Sequence, residues 1–154
     1  MIEGMLAVVR QHPFFAGLDE PTLELVSGCC RNVRFDAGQY LFRESDPADE
    51  FFLIRQGRVA LETAAPGRGA ITFQTVSEGE VVGLSWLIPP YRWSYDARAI
   101  ELVRAIGIDA RCLRGKCDTD PAFGYAMMLR FVPVLVQRLQ ASRLQVLDVY
   151  GTPR

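Results

Sequence analysis

Apolar residues recur at helical spacing from the start of the chain. Ile2, Met5, Leu6 and Val9 fall on one helix face, and Pro13 ends the run. Phe14-Phe15-Ala16-Gly17-Leu18 reads as a turn carrying two aromatics. Asp19 then has the chemistry of a helix N-cap, with Pro21 in the first turn, Leu23, Leu25 and Val26 as its apolar residues and a stop near Gly28. From Arg31 the period changes to two. Val33 and Phe35 lead into the corner Asp36-Ala37-Gly38, and Tyr40 and Phe42 lead away from it. Residues 43–50 are a charged loop. Residues 51–55 form a strand, Gln56-Gly57 its hairpin turn, and 58–62 the returning strand. One proline and two glycines in 64–70 predict a long flexible hairpin tip before the alternating run 71–76. Runs 95–100 and 102–108 alternate again, which brings the count to about eight short strands.

Past residue 108 the pattern returns to helix. Residues 109–116 have room for one short helical turn. Asp118-Thr119-Asp120-Pro121 is a helix start, a capping residue followed by proline at the first helical position. Phe123, Met127, Leu129, Phe131, Val134, Leu135, Arg138, Leu139, Ser142, Leu144, Val146 and Leu147 then lie along one or two helix faces as far as Tyr150. Pro133 falls inside this run, so a kink or a break into two pieces is expected there. The fold class that follows is mainly β with flanking helices: an antiparallel β-roll (a double-stranded β-helix or jelly roll) with N-terminal helices and a long C-terminal helix. Residues 1–154 read as one domain, with helices in 1–30, the roll in 31–110 and helices again in 111–150.

Composition narrows the function classes. Apolar residues make up 49% of the chain and charged ones 23%, with a net charge of −1, as in an ordinary soluble protein with no basic excess for nucleic acid or an anionic membrane. No run is apolar enough to span a membrane and no leader precedes the first helix, so the chain reads as cytoplasmic. Cys29, Cys30, Cys112 and Cys117 lack the CxxC spacing of a metal site, and adjacent Cys29-Cys30 is a poor disulfide pair; four reduced thiols are expected. Asp46, Asp49 and Glu50 read as a solvated loop rather than a metal site. There is one histidine and no nucleophile with an acid/base partner, so neither a catalytic nor a metal site is assigned.

The chemistry concentrates in residues 79–99, GEVVGLSWLIPPYRWSYDARA, which hold both tryptophans. Gly83 before the short turn Leu84-Ser85-Trp86 leaves backbone N–H groups free for an anion. Pro89-Pro90 stops that turn. Tyr91, Trp93 and Tyr95 alternate, so they are expected on one strand face, as pocket lining or as a stacking platform for a flat ligand. The candidate ligand-binding residues are Gly83, Leu84, Ser85, Trp86, Arg92, Trp93, Tyr95 and Asp96.

The order of elements resembles that of the cyclic-nucleotide-binding domain family, in particular the sensor domains of catabolite-activator and oxygen-regulator type. Residues 14–18, 35–42 and 49–59 are similar to its N-terminal turn, glycine corner and hairpin. Residues 79–83 and 96–99 are similar to the two ends of its phosphate-binding cassette. The resemblance implies a cyclic nucleotide, cyclic AMP or cyclic GMP, as ligand. Two positions depart from it. Leu84 stands where the family carries a glutamate for the ribose hydroxyl, and Trp93 where it carries the arginine for the cyclic phosphate. Asp96 would repel a phosphate, and Arg92 falls on the opposite strand face. No cofactor is certain on this cassette: it holds a small molecule in an altered way, or the roll is a ligand-free scaffold for a protein partner. The family also pairs its last helix with a twin, and residues 121–148 are longer than one roll covers, so a homodimer through them is expected. The chain stops at Arg154 with no winged helix following, so direct binding of nucleic acid is not expected, and it reads either as a stand-alone module or as the truncated sensor half of a regulator. His12 reads as a surface or capping histidine rather than a haem ligand.

Overall fold

A computed structural model describes residues 2–150, with side chains described for 4–149. The Ile2 side chain and the tail 151–154, which figure in the sequence reading, lie outside the described residues. The chain begins with α1 (Ile2–Gln11), a 3-10 turn (Pro13–Phe15) and α2 (Glu20–Ser27). Eight strands follow: β1 (Cys30–Phe35), β2 (Tyr40–Phe42), β3 (Glu50–Gln56), β4 (Val59–Ala65), β5 (Gly69–Val76), β6 (Val81–Val82), β7 (Asp96–Ala99) and β8 (Val103–Asp109). A 3-10 turn (Ser85–Leu87) sits between β6 and β7, and α3 (Ala110–Thr119) and α4 (Pro121–Tyr150) close the chain. The strands make two antiparallel four-stranded sheets, ordered β1-β8-β3-β6 and β2-β7-β4-β5. This is the expected roll with flanking helices.

Local chemistry accounts for the element boundaries. The Asp19 carboxylate accepts the Thr22 N–H at 3.0 Å and starts α2, with Pro21 in the first turn. The Asp120 carboxylate accepts the Phe123 N–H at 3.2 Å and starts α4, with Pro121 at its first position. Gly57 turns the β3–β4 hairpin at φ +95°; a Cβ there would strike the Leu102 carbonyl and come within 3.1 Å of Val103, so no side chain fits. β3 is buried along Phe51–Ile54 on both faces, because the roll interior lies on one side and the helices on the other. Across the second sheet, Arg98 donates twice to the buried Glu62 carboxylate, at 2.7 and 3.1 Å, and ties β7 to β4.

Several expectations need correction. Residues 64–70 are no long tip: the β4–β5 ladder runs up to Ala65 opposite Gly69, leaving three residues at the turn. Residues 109–116 hold more than one turn, because α3 continues to Thr119 over ten residues. Its start is fixed by the Asp109 carboxylate, which accepts the Cys112 N–H at 3.0 Å. α4 is one unbroken helix through Pro133 rather than two pieces. The ring costs one backbone hydrogen bond, to the Leu129 carbonyl. The four cysteines are not all thiols. Cys29, just past α2, and Cys112, in the first turn of α3, form a disulfide, while Cys30 and Cys117 are free. Sequence spacing could not show this, because the two lie 83 positions apart and meet only when α3 folds back on α2.

His12 is a capping residue, as expected, but a buried one. Its Nδ1 accepts the Phe14 N–H at 3.2 Å, which places the proton on Nε2, and Nε2 donates to the Ile54 carbonyl at 3.0 Å. Burial, helped by the charge of Arg55, pushes its pKa below the ordinary value. The unfolded chain therefore binds a proton that the native protein refuses. The stability this lends is complete above about pH 6.5 and is lost as pH falls through the lowered folded value. Urea unfolding between pH 7.5 and 5 is expected to show falling stability. His12→Asn keeps a capping acceptor without the titration, so its profile should be flat over this range; an unchanged slope would contradict the assignment.

Candidate functional site

β6 delivers the chain to Gly83 through two ladder pairs with β3, Val81 with Leu53 and Val82 with Phe52. Gly83 then turns at φ +101°. Leu84 precedes the 3-10 turn without any side-chain cap, and the N–H groups of that turn's start have no intrahelical partner. The turn closes with the Leu87 N–H on the Leu84 carbonyl at 3.2 Å. The Ser85 side chain is half-buried beside it. So far the geometry is the one the sequence suggested, a glycine corner opening a short turn.

Trp93 fills the space this corner encloses, and Trp86 packs outside it against the helices. Trp93 is 3% exposed and stacks on Phe42, with ring centres 3.9 Å apart and planes 11° apart. Its ring lies directly over Gly83: a Cβ there would come within 2.5 Å of Trp93 Cη2 and 2.7 Å of Cζ3. Trp86 is fully buried on the helical side. It stacks on Phe51 at 4.6 Å and meets Phe131 of α4 edge-on at 5.2 Å. The Trp86 Nε1–H is buried without a partner.

The other candidates part company. Arg92 is exposed and donates to the Ser45 carbonyl at 2.8 Å, so it points away from the cradle. The Asp96 carboxylate accepts the Glu44 N–H at 2.7 Å and lies 3.5 Å from Arg43, engaged with the loop after β2. Tyr91, Trp93 and Tyr95 do not share a strand face, which corrects the sequence reading. Regular strand begins only at Asp96, and Tyr91 adopts φ +55° after a cis Pro89–Pro90 bond. Tyr91 instead lies under the Arg114 guanidinium of α3 at 4.0 Å. Tyr95 packs edge-on to Phe73 at 5.3 Å and against Phe42 at 5.8 Å, and burial pushes its phenol pKa up.

Two contacts with the cassette escaped sequence reasoning. Arg114 also donates to the Trp86 carbonyl at 2.7 Å, so α3 grips the cassette twice. Arg138 of α4 donates to the Val81 carbonyl, while its Nη1 is buried without a partner, and burial lowers its pKa. The only signal for Arg138 was its place one turn after Val134 on the packed face of a helix. Near the charged loop, Glu50 takes two bonds from Arg31 at 2.7 and 2.8 Å and Asp49 lies 3.6 Å from Arg111.

The model of the cyclic nucleotide-binding domain matches residues 32–120, more than half of the chain, and the chain belongs to that family. Among curated proteins it is 30% identical over 145 residues to cyclic nucleotide-gated ion channel 18 of Arabidopsis thaliana, covering 91% of this chain and 19% of the channel. The chain thus spans about a fifth of the length of the curated relatives it matches over most of its own. A cyclic nucleotide-binding domain from Methylobacillus flagellatus superposes with a TM-score of 0.79 at 20% identity, covering 99% of this chain and 85% of that one. The catabolite activator protein of Thermus thermophilus does so with a TM-score of 0.68 at 21% identity, covering 87% and 61%. These two likenesses concern the fold. Among the described residues no helix is long and apolar enough to cross a membrane.

Trp93 over Gly83 yields a direct test. Gly79 has a similar φ, +88°, but a Cβ there would meet only Pro13 Cγ at 3.8 Å. Gly79→Ala is expected to cost the backbone strain alone, roughly 1–3 kcal/mol. Gly83→Ala is expected to cost clearly more in denaturant unfolding, because the indole must also be displaced. Equal costs would mean that the indole does not lie there.

Proposed function

We propose that this chain is a non-catalytic regulatory module whose cradle is occupied by its own Trp93, and that it acts through pairing of α4 rather than by waiting for a cyclic nucleotide. The observation that carries this is the Trp93 indole packed between Gly83 and Phe42, at the position where the resemblance implies an arginine for the cyclic phosphate. An indole there removes the charge a buried phosphate needs and fills the room it would take. Arg92 does not substitute, because its guanidinium is bound to the Ser45 carbonyl outside. The sequence left open an altered ligand site or a ligand-free scaffold. The buried Trp93, stacked on Phe42 against Gly83, favours the scaffold.

The output surface is the outer face of α4. Tyr125, Leu129, Val132, Val136, Leu139, Arg143 and Val146 recur at alternating intervals of four and three, the spacing of a two-stranded coiled-coil seam. The apolar members are 48–68% exposed. Arg143 is the one charged seam position, a device that fixes register at a cost in stability. A second copy of this chain presents the same stripe, so a homodimer through residues 121–148 is the arrangement proposed. Arg138 supports the runner-up, an anionic ligand lodged between β6 and α4, because a buried guanidinium nitrogen there lacks a partner.

Calorimetry with cyclic AMP and cyclic GMP tests the cradle. The expected result is no saturable heat at millimolar nucleotide. Micromolar binding abolished by Arg138→Gln would overturn the proposal in favour of the runner-up.

Sedimentation tests the output. The protein is expected to run as a dimer, and Val136→Glu with Leu139→Glu as a folded monomer. A monomeric parent protein would remove the homodimer and leave a different protein partner for the same stripe.

A further inference from the structure

The seam between α2 and α3 carries chemistry that the cradle does not use. The Cys29–Cys112 bond crosses it, joining the residue after the α2 C-cap Gly28 to the first turn of α3. The bond is not sealed in the core. Cys29 is 6% exposed and Cys112 half-buried, and both line a surface cavity of about 400 Å³ together with Cys30, Arg31 and Asp49. We propose that this bond is a thiol–disulfide exchange site, a covalent latch that a dithiol opens and whose opening loosens the base of α4.

The exchange balances without further reagents. A thiolate of the dithiol attacks Cys112 Sγ, which belongs to the more exposed residue of the pair, and the S–S bond breaks. Cys29 leaves as thiolate and takes a proton. The second thiol of the reductant then attacks the mixed disulfide and releases Cys112. Two electrons and two protons pass from the dithiol to the pair, and the dithiol becomes a disulfide. Cys30 does not intercept the exchange, although it neighbours Cys29. Its thiol is pushed up to about 12 by burial, and its Sγ–H is turned to the Val26 carbonyl at 3.1 Å. Burial, and the charge of Asp118, raise the Cys117 thiol in the same direction.

Opening the latch leaves the seam weakened but not empty. The Asp109 N–H still donates to the Cys29 carbonyl at 2.8 Å, and Lys116 Nζ to the Leu25 carbonyl at 2.5 Å. The response is therefore a local loosening rather than unfolding. α3 is the element placed to pass it on. Its last turn abuts α4 so closely that a Cβ at Gly124 would lie 3.3 Å from the Cys117 carbonyl, and its Arg114 holds Trp86 and Tyr91 of the cassette. In a reducing compartment such as the cytoplasm that the sequence suggests, a disulfide with an open approach is a switch rather than a permanent staple. The proposal rests on this seam alone and makes no use of the reading of the cradle.

Thiol labelling combined with amide hydrogen exchange tests it. Air-oxidised protein, denatured without reductant, is expected to take two iodoacetamide labels, on Cys30 and Cys117. Protein first treated with dithiothreitol under native conditions should take four when denatured afterwards. Native reduction should speed exchange in 110–119 and in the first turns of α4 by about tenfold or more, with the β4–β5 ladder unchanged. Cys112→Ser should show the reduced pattern with or without dithiothreitol. Four labels before reduction, a bond that yields only after denaturation, or exchange indifferent to reduction would each overturn the proposal.

Discussion

The aromatic cluster of Trp86, Phe51 and Phe131 is the contact on which the other parts of this protein depend. Trp86 comes from the cassette, Phe51 from the central strand β3 and Phe131 from α4, and each ring touches the other two at 4.6–5.5 Å. Phe14 extends the cluster to the N-terminal turn, 5.0 Å from Phe131. Burying a side chain the size of tryptophan is worth several kcal/mol, and its loss leaves a cavity that such a close-packed set cannot refill. The cassette, the sheet and the long helix therefore cannot choose their positions independently. Arg114 on the Trp86 carbonyl and Arg138 on the Val81 carbonyl reinforce the same coupling with hydrogen bonds.

The second tryptophan gives that coupled assembly its particular character. In a fold of this family the glycine corner and the 3-10 turn frame a cradle. Here Gly83 is needed because Trp93 lies against it. Charge and shape agree: the guanidinium on Arg92 faces out, the Asp96 carboxylate is engaged by Glu44 and Arg43, and the cradle interior is lined by rings. A site that had lost only its arginine would leave a polar hollow. One filled by a stacked indole is a packed core, and this is the ground for the proposal that α4 acts without a bound nucleotide.

Much of the fold was legible because its signals are local. Alternating residues marked the strands, Asp19 and Asp120 marked two helix starts, and Gly57 and Gly83 marked turns that only glycine satisfies. The site was legible in part. Gly83 and both tryptophans were found, but Tyr91, Trp93 and Tyr95 were assigned one face by a period that Tyr91, at φ +55°, does not keep. What the sequence hid depends on distant chain segments meeting. Cys29 and Cys112 are joined by the docking of α3, Arg114 reaches back 28 positions to Trp86, and Arg138 reaches 57 to Val81. No period or motif encodes such contacts. The hairpin tip was misjudged for the opposite reason: Pro66, Gly67 and Gly69 signal a turn strongly, yet the β4–β5 ladder runs up to it on both sides.

The location of Trp93 can be measured directly in Trp86→Phe, which keeps a ring against Phe51 and leaves Trp93 as the sole tryptophan. Its emission should be blue-shifted, poorly quenched by acrylamide, and unchanged by cyclic AMP or cyclic GMP. Red emission with ready quenching, or a nucleotide that shifts it, would show that the indole does not own the cradle and would contradict the account.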